Sequence, residues 1–184
     1  MSTHLGYLQR LVVPVATGAL ILGTAATAAA ATATAAPPPS RSAPTTSVTV
    51  DDARTGGTNH FSYSSGWKVC QRCDQEALGG SYHYTTKTNA SVTLSFTGRR
   101  ATIYGIRQTS GGRVLVTVDG RATGIFDLYT KGQHRHVGIY TTPVLRDGPH
   151  TVTFTTKSRT RGGGHTVSID RAVVERAGDT PTTR

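Results

Sequence analysis

Apolar and polar residues alternate along most of the chain after residue 47. The alternation is clearest in the segments 91–96, 114–118, 151–155 and 167–173. Successive side chains of a β-strand face opposite sides of the sheet, so this period of two indicates strands with one face on an apolar core. Weaker patterns of the same kind predict further strands at 48–52, 60–64, 82–85, 102–106, 122–129 and 137–142.

The sequence between these segments is typical of turns. Asp119-Gly120 separates two of the predicted strands, and because both residue types tolerate a positive φ, the pair predicts a tight β-hairpin. No segment after residue 50 carries an apolar stripe of helical period over the length of a normal helix. The chain is therefore predicted to be all-β, with about ten short strands in a two-sheet antiparallel β-sandwich or jelly roll.

The first 36 residues have the organisation of a cleavable signal peptide. Arg10 gives the start a positive charge, residues 11–29 are almost wholly apolar or small, and an Ala/Thr stretch ends at Ala36. A retained membrane anchor is the alternative, but Pro14 and the glycines weaken a spanning helix, and no basic flank follows. We therefore expect a secreted protein with no membrane attachment after cleavage.

Composition divides the rest of the chain. Residues 37–46 are rich in Pro, Ser and Thr, which predicts an extended linker. Residues 178–184 are polar and are predicted to form a disordered tail. Residues 47–177 remain for the jelly-roll β-sandwich domain, which is an ordinary length for one domain.

Short motifs within this domain occur in the order seen in a known family. They lie at 50–52 (VDD), 61–67 (FSYSSGW), 79–85 (GGSYHYT), 91–98 (SVTLSFTG), 116–120 (VTVDG), 145–152 (LRDGPHTV) and 167–170 (VSID). Over residues 48–175 the domain resembles the galactose-binding-domain-like jelly rolls of secreted bacterial and fungal proteins. That fold serves carbohydrate-binding modules and adhesion modules, so the resemblance implies binding without naming a ligand.

Aromatic rings with polar neighbours are the candidates for carbohydrate binding. A saccharide stacks its C–H face on a ring and hydrogen-bonds its hydroxyls to a few fixed polar groups. In the family, ligands meet the loops at one end of the sandwich or one sheet face, which favours segments 67–83 and 107–112. The candidate residues are Trp67, Tyr82, His83, Tyr84, Arg107, Gln108 and Tyr129. Packing is the alternative for each ring, and it is favoured for Trp67 and Tyr104.

The resemblance also implies a structural calcium ion near the first and last strands. Asp51, Asp52 and Asp170 match in position and would supply part of the six to eight oxygen ligands that calcium takes. Aspartates that cap turns are an equally good interpretation of these three residues.

The two cysteines, Cys70 and Cys73, have the spacing of a redox pair or of half a zinc site. No second pair of this kind exists, and in an exported protein two cysteines most simply form one disulfide. A zinc site that adds His83 to the two cysteines is the minor alternative.

Charge adds a second class of partner. Lysine and arginine number 20 against 10 acidic residues, so the formal net charge is +10. Acidic polymers would be attracted to such a surface in a salt-dependent way. The densest basic stretch, residues 157–161, is interpreted as a solvated loop, and no nucleic-acid-binding motif is present.

Three functions follow, in descending order of support. The first is a secreted, monomeric, non-catalytic module that binds carbohydrate or a cell-wall polymer. The second is an interaction or structural module that binds a protein or polyanion through its basic surface. The third is a small hydrolase, which has the least support because no G-x-S-x-G motif occurs and most acidic residues lie in turns.

Overall fold

The computed structural model describes residues 45–157 and 163–178. The predicted signal peptide, residues 37–44 of the predicted linker, residues 158–161 of the basic stretch and residues 179–184 of the predicted tail lie outside the described residues. Thr45 and Thr46, which the composition assigned to the linker, belong to the first strand. Within the described residues, no helix is long and apolar enough to cross a membrane.

Two antiparallel sheets make up the described domain. The six-stranded sheet contains β1 (Thr45–Asp51), β3 (Lys68–Gln71), β4 (Ser81–Thr85), β6 (Arg100–Arg107), β9 (His134–Thr141) and β11 (Val167–Ala177). The five-stranded sheet contains β2 (His60–Tyr63), β5 (Ser91–Gly98), β7 (Arg113–Val118), β8 (Arg121–Asp127) and β10 (Gly148–Thr156). A short 3₁₀ helix, Leu78–Gly80, precedes β4.

Strand order places the long β11 at the centre of the larger sheet. That sheet runs β3-β4-β11-β6-β9, and β1 also pairs with β11, beyond the end of β4. The smaller sheet runs β2-β5-β10-β7-β8. The prediction of an all-β, two-sheet antiparallel sandwich is therefore confirmed.

The core lies between the sheets and is built from the alternating residues that predicted the strands. Along β5, every second residue is buried, and β7 and β10 follow the same alternation. The largest fully buried side chains include Phe61, Leu94, Phe96, Ile103 and Ile169, which come from both sheets. Burial of such side chains is the main favourable contribution to folding.

The predicted hairpin is also present. Asp119 has a φ of 49° and Gly120 a φ of 75°, so both central residues of the turn between β7 and β8 take the left-handed conformation. Two positive φ values in succession give a turn whose twist matches that of the paired strands. The Asp119 carboxylate also accepts a hydrogen bond from the backbone N–H of Thr151, at 2.8 Å.

Register irregularities interrupt the larger sheet on both sides of β6, one in the pairing with β11 and two in the pairing with β9. In β11, Asp170 is the extra residue between two positions that pair with β6. In β9, the pairing with β6 shifts around Arg135 and His136, and His136 has a φ of 52°. A bulge re-aims a side chain away from the regular alternation, and these two bulges position the site described next.

Candidate functional site

The outer face of the six-stranded sheet carries a group of aromatic and basic side chains. Tyr82 and Tyr84 alternate along β4 with residues that face the interior, and their rings lie edge to face with centroids 6.3 Å apart. Tyr104 alternates with buried residues of β6, and the guanidinium of Arg171 lies over its ring, 4.8 Å from the centroid. Tyr104 is thus on the outer face, in contrast to the core packing favoured from the sequence.

The 72–80 loop, which joins β3 to β4, crosses this face. It starts at one edge of the sheet, and the carboxylate of Asp74 accepts hydrogen bonds from Arg135 and His136 of β9 at the opposite edge. Further along the loop, the backbone N–H of Leu78 donates to the carboxylate of Asp170 at 2.9 Å. The loop is therefore fixed at two points by acidic side chains.

Five side chains under this loop form an ion cluster: Asp74, Arg135, His136, Asp170 and Arg171. The His136 ring is shared, with Nδ1 2.9 Å from Asp170 and Nε2 3.1 Å from Asp74. Arg135 binds Asp74 at 2.8 Å, and Arg171 binds Asp170. Burial alone would raise the pKa of Asp74, but its hydrogen bonds with Arg135, the Glu76 backbone and His136 hold that pKa below its usual value.

A row of hydrogen bonds leads from this cluster to the loop end of the sandwich. Arg135 donates to the side-chain oxygen of Gln133 at 2.9 Å, and Gln133 donates to the side-chain oxygen of Gln108 at 3.0 Å. Gln108 is bridged through its backbone to Tyr129, whose ring is 37% exposed. Arg107 lies beside this row and donates to the backbone oxygen of Asp127.

Tyr82 lies on the outer face of the same sheet. Partial burial raises the pKa of its hydroxyl, and the charges of Arg135 and Asp74 also act on it, in opposite directions. We call the set of Tyr82, Arg135, Gln133, Gln108 and Tyr129 the tyrosine-glutamine row.

Two of the sequence candidates, Trp67 and His83, lie on the interior side of the sheet instead. Trp67 packs against the core and donates from its ring N–H to the backbone oxygen of Ser91 at 2.9 Å. His83 stacks on Tyr63, with ring centroids 4.1 Å apart, and its Nδ1 lies 2.5 Å from the carboxylate of Asp52. Both side chains therefore pack inside the sandwich and are not part of the outer face of the sheet.

The three aspartates considered as calcium ligands do not converge. Asp52 lies on the interior side of the sheet and binds His83. Asp170 lies on the outer face of the sheet, buried under the 72–80 loop, and binds Leu78, His136 and Arg171. One oxygen of Asp51 accepts from the backbone of Ala53, and the other lies against Gly79. Of the described residues, only Asp74, Glu76 and His136 bring three metal-ligand atoms within 4.8 Å of one another, and Asp74 and His136 are already paired in the ion cluster.

The cysteines form the disulfide that the sequence predicted. Cys70 and Cys73 are bonded to each other, with Cα atoms 5.6 Å apart. The alternative zinc site is wrong because both cysteines are consumed in the disulfide and His83 is engaged with Asp52. The disulfide lies at the start of the 72–80 loop, directly across from Tyr82 in the β3–β4 pairing.

Replacing both cysteines by serine should lower the free energy of unfolding by at most about 2 kcal/mol, because the closed loop is very short and its closure entropy is small. The loss should be mainly local. Hydrogen exchange should accelerate most at the backbone amides of residues 68–80, whereas in β5, which the global unfolding reaction controls, it should accelerate only as far as the small loss of global stability allows. An acceleration in β5 as large as that in residues 68–80 would contradict this prediction.

Sequence reasoning did not identify most of the row and the cluster. Arg135, Gln133 and Asp74 have no motif of their own, and Asp74 meets His136 only because the 72–80 loop crosses the sheet. In a regular strand, the pattern His134-Arg-His136 would place two imidazoles on one side of the sheet. The bulge separates them, since His136 turns into the ion cluster and His134 is exposed.

Comparison with known proteins supports the fold alone. No family model matches the sequence, and no curated protein matches it. Among solved structures, a two-domain esterase active on acetylated mannans, co-crystallised with mannopentaose, is similar with a TM-score of 0.52 and 13% identity over 73% of this chain and 37% of that chain.

Two carbohydrate-binding modules are similar at lower scores. The CBM36-1 domain of a multidomain xylanase from the hindgut metagenome of Trinervitermes trinervoides has a TM-score of 0.44 and 13% identity, over 73% of this chain and 100% of that chain. A family 35 module from an environmental isolate has a TM-score of 0.49 and 15% identity, over 73% of this chain and 99% of that chain. The similarity to the esterase, with a TM-score above 0.5, agrees with the predicted β-sandwich fold.

Proposed function

We propose that the protein is a secreted, non-catalytic module that binds carbohydrate or a cell-wall polymer at the tyrosine-glutamine row. The observation that carries the proposal is the row itself, in which Arg135, Gln133 and Gln108 are joined by side-chain hydrogen bonds and Gln108 is bridged through its backbone to Tyr129. Tyr82, Gln108 and Tyr129 are also candidates that the sequence predicts, and their membership in the row supports the proposal.

The chemistry of the row suits a polyhydroxylated ligand. Tyrosine rings offer apolar faces for the C–H side of a sugar, and the amides of Gln108 and Gln133 offer both donors and acceptors for its hydroxyls. These amides are held by each other and by Arg135, which Asp74 fixes in turn. Groups that are already oriented lose less conformational entropy when the ligand binds.

Secretion rests on the signal-like first 36 residues and is consistent with the disulfide. Disulfides persist in oxidising compartments and are rare in the cytosol. The Cys70–Cys73 bond therefore agrees with export, and a cell-surface or matrix polymer is the kind of target such a protein would meet.

The test is an array of glycans and wall polymers probed with the chain from residue 37, at low and high salt. Binding should be saturable and nearly independent of salt, and Tyr129→Ala or Tyr82→Ala should each weaken it by about tenfold, because each removes a stacking surface. Ile125→Ala is the matched control, since Ile125 is 52% exposed but lies on the five-stranded sheet.

Two results would argue against the proposal. Equal losses in the tyrosine variants and in Ile125→Ala would show that the row is not the binding surface. Binding that collapses at high salt and ignores the tyrosines would favour the second function, in which the net charge of +10 attracts a polyanion.

A further inference from the structure

The ion cluster contains Asp170, one of the three aspartates that the family resemblance suggests as ligands of a structural calcium ion. Asp170 is fully buried and the Asp74 side chain is 4% exposed, so both carboxylates have left water almost completely. A buried carboxylate costs several kcal/mol unless a cation and hydrogen bonds compensate it. Either a bound calcium ion or basic side chains of the protein can supply this positive charge.

The residues present do not fit calcium. Calcium takes six to eight oxygen ligands, whereas both oxygens of Asp170 are already bound, one by the Leu78 amide and the other by His136 and Arg171. The guanidinium group of Arg171 would repel a divalent ion beside that carboxylate. Asp52, the second expected ligand, lies on the interior side of the sheet against His83.

The cationic side chains also make the contacts that a structural ion would otherwise make. His136 contacts Asp170 through Nδ1 and Asp74 through Nε2, so one ring joins the last strand to the 72–80 loop. Arg171 and Arg135 complete the two pairs, so that the two acids meet two guanidinium groups and one shared imidazole.

The backbone geometry supports the same interpretation. His136 holds a φ of 52°, a conformation that a residue other than glycine adopts at some cost. The bulges at His136 and Asp170 lie on β9 and β11, which are separated by β6 alone, and they bring the two side chains together. A local strain of this kind persists only where surrounding contacts compensate it.

We infer that the ion cluster replaces the structural calcium of the fold, and that this protein folds and holds its 72–80 loop without a divalent ion. The inference is independent of the proposed carbohydrate site. It assigns to His136 and Arg171 the structural role of a bound cation.

Thermal unfolding of the full chain, with calcium added and with EDTA added, tests the inference directly. The midpoint should be the same in both conditions, because a ligand that does not bind the native state cannot shift it. His136→Gln should lower the midpoint by roughly 10 °C, since it leaves two buried carboxylates short of a partner. His134→Gln, two residues earlier on the same strand and exposed, should leave it unchanged.

Hydrogen exchange at the Leu78 amide gives a local readout that does not depend on global stability. Protection should be equal with calcium and with EDTA, and it should fall in His136→Gln while staying the same in His134→Gln. A midpoint that rises with calcium or falls with EDTA would overturn the inference. So would a His136→Gln variant as stable as the wild type, and if that variant fails to fold, the wild-type comparison still decides.

Discussion

Replacing Gly111 with alanine should lower the free energy of unfolding by about 3 kcal/mol, the upper range for forcing extra volume into a packed position. A Cβ at this position would lie 2.2 Å from the backbone oxygen of Leu128 and 2.9 Å from that of Gln108. Both neighbours are backbone atoms, which cannot turn aside as a flexible side chain can. The backbone segments at Gln108 and Leu128 would have to move apart.

The same substitution should weaken ligand binding, because Gly111 lies where the ends of the row are fixed. The Gly111 N–H donates to Gln108, and Gln108 donates through its own N–H to Leu128, the residue before Tyr129. Displacing Leu128 would also displace Tyr129, the next residue along the chain. A shift of about 1 Å is enough to lose most of a positioned interaction.

Urea unfolding and the glycan array measure the two effects. Gly132→Ala is the matched control, because it adds the same methyl group at the same end of the domain and its nearest neighbour is a His134 ring atom 3.6 Å away. That variant should keep the stability and binding of the wild type. A Gly111→Ala protein with unchanged stability would show that the backbone segments at Gln108 and Leu128 can move apart at little cost in free energy.

The strands were predictable because their physics is local. A sheet face that packs on a core requires an apolar residue at every second position, and Val92, Leu94 and Phe96 satisfy that requirement within one short segment. The Asp119-Gly120 turn is local for the same reason. The one strand that the pattern missed, β3, lies at a sheet edge, where Val69 is 46% exposed and no alternation is needed.

The candidate site was predictable only in part. Tyr82 and Tyr84 follow the strand alternation, so their shared face could be anticipated. Asp74 and His136 are 62 positions apart and meet because a loop crosses the sheet. The bulge at Asp170 depends on the register between β11 and β6, which no single segment of the sequence specifies.

The Asp52→Asn substitution should make the protein more stable relative to the wild type as the pH rises from about 4 to about 7. Burial raises the pKa of Asp52 from 3.8 to about 6, a hydrogen bond from His83 opposes that rise, and the charge of Asp51 adds to it. The native carboxyl therefore holds a proton that the unfolded chain releases at lower pH. Its contribution is fully present below the unfolded pKa and is lost as the pH rises through the folded pKa, at about 3 kcal/mol for two pKa values that differ by about 2.

The substituted amide preserves the size of the side chain and an oxygen for His83 but cannot titrate, so this contribution disappears from the pH dependence. The free-energy cost of burying the amide is the same at every pH. The slope of the free energy of unfolding against pH is therefore the quantity that tests the prediction. Urea unfolding followed by the fluorescence of Trp67, the one tryptophan of the sequence, measures that slope.

Asp147→Asn is the control for the same loss of formal charge at an exposed position. Its stability should run parallel to that of the wild type from about pH 4 to about pH 6, below the range in which the Asp147 charge acts on the pKa of His150. If the Asp52→Asn and wild-type curves also ran parallel, the Asp52 carboxyl would titrate alike in the native and unfolded states. Water would then have to reach the oxygen of Asp52 that has no hydrogen-bond partner. The interior side of the six-stranded sheet near β4 would be hydrated rather than packed.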